Sequence, residues 1–191
     1  QRNIRLELKL LADVGLIGFP NIGKSSLIAR ISAAKPKIAD YPFTTLVPNL
    51  GVVKVGIDRN FVVADVPGLI VGAHLGAGLG AQFLRHVERV TSIVHMLTSL
   101  PEDLSRSPIL DFEAIEKEME LHNKALMEVP RIIVLNKVDL PDVRDEIPDI
   151  KAYAQEREIP FFALSAATGE GIRELIAHLG AHIDAIRRQQ S

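Results

Sequence analysis

The run Val14-Gly15-Leu16-Ile17-Gly18-Phe19-Pro20-Asn21-Ile22-Gly23-Lys24-Ser25-Ser26-Leu27-Ile28-Ala29-Arg30 decides the fold. Its centre, Gly18 to Ser25, spells G-x-x-x-x-G-K-S, with an apolar strand-like stretch leading in and a helix-compatible stretch leading out. The glycines let the backbone curl so that successive N–H groups point inward at an anion, and the N-terminus of the following helix adds partial positive charge. The segment reads as a phosphate-binding loop for a nucleoside polyphosphate. Lys24 would reach the β- and γ-phosphates, and Ser25 would offer its hydroxyl to a bridging Mg²⁺.

Toward the other end of the chain, the β-branched run Arg131 to Leu135 opens into Asn136-Lys137-Val138-Asp139. In open α/β sheets ligands bind at the carboxyl ends of strands, so this N-K-x-D stands where a nucleotide base should lie. A carboxylate such as Asp139 accepts two hydrogen bonds, matching the ring N–H and exocyclic NH₂ of guanine, which adenine lacks. The Asn136 amide is expected to address the other edge of the base and the Lys137 stem to pack over the ring. A further short strand, Phe161 to Leu164, ends in Ser165-Ala166-Ala167, whose backbone N–H groups would meet the guanine carbonyl oxygen.

Between these sites the apolar run Phe61-Val62-Val63-Ala64 ends in Asp65-Val66-Pro67-Gly68, a D-x-x-G. Asp65 is placed to hold the Mg²⁺ through a water and the Gly68 N–H to contact the γ-phosphate. Upstream, Tyr41-Pro42-Phe43-Thr44-Thr45-Leu46 carries two hydroxyls. One of them, Thr45 by preference, would complete the metal coordination and lose that contact on hydrolysis. Candidate metal ligands are thus Ser25, Thr45 and Asp65; candidate catalytic residues are Lys24, Thr45 and Gly68.

Composition bounds the rest. With 191 residues, 47% hydrophobic and 24% charged, the chain suits one well-buried domain. Six strand candidates (10–17, 50–57, 61–64, 93–97, 132–135, 161–164) alternate with helical stretches at 24–34, 79–91, 111–128, 144–158 and 171–188. This predicts a three-layer α/β domain, a mostly parallel six-stranded sheet with helices on both faces. The absence of cysteine excludes disulfides and thiol catalysis and fits a cytoplasmic setting. No apolar stretch is long enough to span a bilayer. A net charge of −2 gives no broad footprint for nucleic acid and argues against sequence-specific DNA binding. His178 and His182, four apart, lack the Glu of a zinc-protease motif and are expected on an exposed helix face.

In order and spacing these motifs resemble the GTP-binding domain of a translation-factor-class P-loop GTPase. Two longer stretches, Ala33 to Val53 with its YPFTTLVPNLG wording and Asp65 to Gly80 with five glycines, followed by Phe83 to Arg89, narrow the resemblance to the Obg family of ribosome-associated GTPases. Position by position, the resemblance implies that Gly18, Phe19, Pro20, Asn21, Ile22, Gly23, Lys24 and Ser25 bind phosphates. It makes Phe43, Thr44, Thr45, Leu46 and Val47 a first switch and Asp65, Val66, Pro67 and Gly68 a second. Asn136, Lys137, Val138 and Asp139 with Ser165, Ala166 and Ala167 would bind guanine. It further implies Mg²⁺-dependent GTP or GDP binding, GTP hydrolysis, and association with the large ribosomal subunit during assembly. Residues 1–9, alternating in polarity, read either as an extension of the first strand or, by the resemblance, as the linker or seam to a preceding domain, with 10–188 as the GTP-binding domain. Val71 and Thr98 depart from the usual family pattern. Leu69 stands where Ras-like enzymes have a water-orienting Gln, so intrinsic hydrolysis is expected to be slow. Asn21 sits where potassium-activated relatives resemble one another, which makes K⁺ a candidate activator. A nucleotide-gated binding module with incidental hydrolysis is the alternative reading.

Overall fold

The computed structural model of the protein describes residues 12–33, 37–38, 49–56, 59–66, 88, 90–99 and 106–189. The six expected strands are all present: β1 (Ala12–Ile17), β3 (Asn49–Lys54), β4 (Asn60–Asp65), β5 (Val90–Leu97), β6 (Arg131–Asn136) and β7 (Phe161–Leu164). A two-residue strand, β2 (Lys37–Ile38), adds an edge that is too short to show a hydropathy pattern. The order across the sheet is β2-β3-β4-β1-β5-β6-β7. β1 pairs in parallel with β4 on one side and β5 on the other, β6 and β7 continue in parallel, and β3 runs antiparallel to β4.

This topology positions the site. From β1 the chain moves to one half of the sheet and returns past β1 to build the other half, so a crevice opens at the carboxyl end of β1. The loops after β1, β4, β5, β6 and β7 all leave at that edge.

Helices cover both faces because alternate strand residues are apolar on both sides. Val14, Leu16, Val94, Met96, Ile132 and Val134 face α1 (Lys24–Ile31), through Leu27 and Ile28, and the C-terminal helix α5 (Ile172–Gln189), through Leu175, Leu179 and Ile183. Their neighbours Ile93, Leu97, Ile133 and Leu135 face α2 (Pro108–His122) and α4 (Ile147–Glu156), where Phe112, Ile115, Met119, Ile150 and Ala154 are buried.

Several boundaries differ from the sequence expectation, each for a local reason. The helix expected over 111–128 starts earlier, at Pro108, with Ser107 accepting a hydrogen bond from the Leu110 N–H. It also breaks at Asn123, whose extended backbone (φ −157°) lets its side chain cap a separate 3₁₀ turn, Lys124–Glu128. The helix expected over 144–158 is two helices, α3 (Pro141–Arg144) and α4, each with proline in its first turn. Most of the helix expected over 79–91 lies outside the described residues, but Val90 and Thr91 belong to β5. His178 and His182 are half-buried rather than on an exposed face: their rings stack at 6.4 Å, and His178 lies 5.1 Å from Phe162 of β7. Among the described residues no helix is long and apolar enough to cross a membrane.

Candidate functional site

The loop from Gly18 to Gly23 leaves β1 and turns into α1 with two glycines at positive φ, Gly18 at +143° and Gly23 at +97°. A Cβ on Gly18 would come within 2.5 Å of the Met96 carbonyl, and one on Gly23 within 2.3 Å of the Asn136 amide nitrogen. Both positions therefore exclude side chains sterically as well as by backbone conformation. Asn21 (φ 64°) shares the left-handed region and is exposed, as is Pro20. Phe19 is half-buried beneath the Arg106 guanidinium, 4.4 Å from its ring centroid, and Arg106 is ion-paired with Asp111.

α1 begins without a side-chain cap and without an acidic residue in its first turn. Its first N–H groups and its partial positive charge are therefore left for an anion. Lys24 is buried there, its Nζ donating to the Gly18 and Phe19 carbonyls at 3.0 and 3.1 Å. Burial lowers its pKa, and the nearby Asp65 carboxylate partly restores it. Ser25 Oγ donates to Asp65 Oδ2 at 2.7 Å, so β4 and α1 bring these two expected metal ligands together. The other oxygen, Asp65 Oδ1, is buried and accepts no hydrogen bond. A hydroxyl and a carboxylate with a spare buried lone-pair oxygen suit a hard cation, so the residues fit Mg²⁺. Such an ion would neutralise phosphate charge. Its third expected ligand, Thr45, lies outside the described residues, as do Phe43, Thr44, Leu46, Val47, Pro67, Gly68, Leu69 and Val71.

The second half of the site is a cleft of about 230 Å³ between α1 and the loops after β6 and β7, lined by Gly23, Asn136, Lys137, Asp139, Ala166 and Ala167 together with Ser26 and Leu140. The last two were not singled out from sequence; each is the residue next to a motif, and that adjacency was the available signal. Asp139 is exposed, and among the described residues its carboxylate accepts no hydrogen bond. Lys137 turns the chain at φ 69°.

Asn136 lines the cleft and does a second job besides the expected one of presenting an amide there. It is 1% exposed: its Nδ2 donates to the Ile22 carbonyl at 2.7 Å, and its Oδ1 accepts from the Ala166 N–H at 2.9 Å. The side chain ties the phosphate loop to the loop after β7, and only the second amide hydrogen remains for a ligand. Thr98, buried at the end of β5, donates its hydroxyl to the Asn136 carbonyl at 3.1 Å. Val138, Ile22 and Val66 are core side chains, so they can meet a ligand only through backbone. Ser165 is fully buried, with its hydroxyl accepting from the Thr168 N–H.

One end of a single crevice thus carries an anion cradle with a metal-ligand pair, and the other carries a carboxylate-bearing cleft. The protein family of 50S ribosome-binding GTPases matches residues 13–137. The chain is 50% identical over 191 residues to the GTPase Obg of Aquifex aeolicus, covering 100% of this chain and 55% of the relative. It is 54% identical over 182 residues to the GTPase Obg of an Anaeromyxobacter species, covering 94% of this chain and 51% of the relative. The chain therefore spans about half the length of the curated relatives it matches. Among solved structures, an S. thermophilus NFeoB mutant bound to GDP superposes with a TM-score of 0.66 at 22% identity, covering 89% of this chain and 61% of that one. That likeness carries the fold alone. The family match and the whole-chain identities agree with the geometry, and the chain belongs to the 50S ribosome-binding GTPase family, among the Obg GTPases.

Proposed function

We propose that this chain binds GTP and GDP with Mg²⁺ and hydrolyses GTP as a switch whose state governs association with the large ribosomal subunit during its assembly, in the cytoplasm. The observation that carries the reading is the Asn136 bridge. One side chain joins the phosphate loop, at Ile22, to the base-side loop, at Ala166, so cradle and cleft are held side by side. Asp139 supplies guanine selection, Lys24 the charge that meets the β- and γ-phosphates, and Ser25 with Asp65 and Thr45 the metal ligands. Gly68 contacts the γ-phosphate through its N–H.

Leu69 cannot hydrogen-bond an attacking water, so unaided turnover is slow and a partner or a monovalent cation accelerates it. Asn21, exposed in the phosphate loop, is the residue through which K⁺ would act. Equal turnover in sodium and potassium buffers would exclude that cation effect. The same Leu69 favours one second reading, a binding module in which bound nucleotide selects the partner and hydrolysis is incidental.

Displacement of a fluorescent guanine nucleotide in the presence of Mg²⁺ tests the first step. GTP and GDP should compete and ATP should not; effective competition by ATP refutes the guanine reading. Turnover measured with and without large ribosomal subunits then separates the two readings. Stimulation supports the switch enzyme. An unchanged low rate with nucleotide-dependent subunit affinity supports the binding module.

A further inference from the structure

The loop after β7 uses almost all of its own hydrogen-bond donors. Ser165 N–H donates to the Glu170 carbonyl at 3.0 Å, Ala166 N–H to Asn136 Oδ1 at 2.9 Å and Thr168 N–H to Ser165 Oγ at 3.1 Å. Gly169 N–H donates to the Ser165 carbonyl at 2.8 Å and Glu170 N–H to Thr168 Oγ1 at 3.3 Å. Ala167 is the exception: its N–H has no partner among the described residues, and the residue is exposed and lines the base cleft. The backbone N–H groups of Ser165, Ala166 and Ala167 are the expected donors to the guanine carbonyl oxygen. The donors already spent leave Ala167.

The next peptide, the one that carries the Ala167 carbonyl, is held from the other side of the molecule. Arg30, on the outer turn of α1, donates from Nη2 to the Ala167 carbonyl at 2.7 Å across 137 residues of sequence. Its guanidinium also lies against Gly169, where a Cβ would come within 3.3 Å of Nη2. Charge-assisted bonds of this length are among the stronger ones available to a loop. Arg30 belongs to the same helix whose N-terminus carries Lys24 and Ser25, so the bond fixes Ala167 relative to the phosphate cradle.

We propose that Arg30 is a positioning residue for base specificity. The peptide before it is anchored by the Ala166 N–H on Asn136; by anchoring the peptide after it at the Ala167 carbonyl, Arg30 fixes the one between, whose free Ala167 N–H then faces the 6-keto oxygen of guanine. This rests on the guanine-nucleotide reading above and extends it to a residue outside the recognised motifs.

The test compares three nucleotides on the wild-type chain, Arg30→Met and Arg30→Lys: GDP; IDP, which keeps the 6-keto oxygen and lacks the 2-amino group; and 2-aminopurine riboside diphosphate, which keeps the amino group and lacks the keto oxygen. Arg30→Met should lower affinity for GDP and IDP in parallel, by roughly three- to tenfold, and leave the 2-aminopurine nucleotide unchanged. Arg30→Lys, which keeps one charged donor, should recover part of the loss. The melting temperature of the nucleotide-free protein should hold in both variants, since Arg30 is exposed. An equal loss for all three nucleotides would reduce Arg30 to a general brace and overturn the proposal, as would no loss for GDP. If the wild-type chain itself fails to prefer GDP over ADP, the guanine reading falls, and this proposal with it.

Discussion

The two ends of the crevice are built on opposite plans. At the base end, apart from the open Asp139 carboxylate, most donors and acceptors are already spent inside the protein: both ends of the Asn136 amide are bonded, five of the six N–H groups from Ser165 to Glu170 have partners, and Arg30 and Thr98 brace the backbone from outside. At the phosphate end groups are left wanting: α1 has no cap, Asp65 Oδ1 is buried without a hydrogen bond, and Lys24 is buried against carbonyl oxygens only. α2, in the same molecule, shows what an ordinary helix start looks like, with Ser107 capping, Pro108 in the first turn and Asp111 against the dipole. On the proposed function, the contrast means that selectivity is prebuilt while the phosphate end waits for charge. A rigid base cleft discriminates because a mismatched base leaves fixed polar groups unpaired. An under-satisfied cradle gains most from an anion and a cation, so ligand binding should raise stability chiefly through that end.

The sharpest way to break this comparison is Lys24→Ala. Nucleotide affinity should fall on the order of a thousandfold, the cost of leaving phosphate charge unpaired in a partly buried site, while the nucleotide-free protein melts almost as before because burial already disfavours the Lys24 charge. Calorimetric titration showing less than a tenfold loss would mean that the cradle is not the main source of affinity.

Asp139→Asn comes next. Guanine affinity should drop about a hundredfold, as expected for two lost charge-assisted bonds, and xanthosine nucleotides should bind better. Retained guanine preference would remove selectivity from the base end.

Asn136→Ala probes the prebuilt plan directly. It strands the Ile22 carbonyl and the Ala166 N–H, so the nucleotide-free protein should lose about 2–4 kcal/mol. Ser25→Ala, at the other end, should leave nucleotide-free melting nearly unchanged and weaken binding only when Mg²⁺ is present. Equal melting of the two variants would erase the difference between the ends.

The smallest effect lies beneath both. His95 is fully buried in β5 against Phe112, ring centroids 4.6 Å apart, with neither ring nitrogen hydrogen-bonded. Burial, helped by the charge of Arg131, lowers its pKa to about 3. Because the unfolded chain takes up this proton near pH 6.5 and the folded chain does not, its contribution to stability is complete above about pH 6.5 and is lost at about 1.4 kcal/mol per unit as pH falls toward 3. Denaturant titrations at pH 7 and 5 should show the slope, and His95→Leu should flatten it.

Much of this is legible in the sequence. The phosphate loop, N-K-x-D and D-x-x-G are contiguous, and a contiguous motif states its own backbone demands: glycine where φ is positive, a lysine and a hydroxyl at the helix start. The strands were legible because their buried positions are mostly apolar, with Asp13, Ser92 and His95 as exceptions. Where pattern and local chemistry disagreed, the pattern misled. Phe112, Ile115, Met119, His122 and Leu126 keep helical spacing straight through Asn123, yet the chain breaks there because that side chain caps the next turn. Val138 and Asp139 are neighbours in one motif, but only Asp139 reaches the cleft.

The sequence by itself determined where the motifs proposed to hold phosphate, metal and guanine stand in the chain, and it determined the alternation that makes a covered, mostly parallel sheet. Both follow from short-range rules of backbone conformation and side-chain chemistry. Only the tertiary structure decided that Asn136 is a bridge between two loops, that Ala167 keeps the spare N–H, and that Arg30, far away in sequence, holds the Ala167 carbonyl beside it. Those outcomes depend on which donors find partners after the elements have packed, and no local pattern records where a hydrogen bond across 137 residues will land.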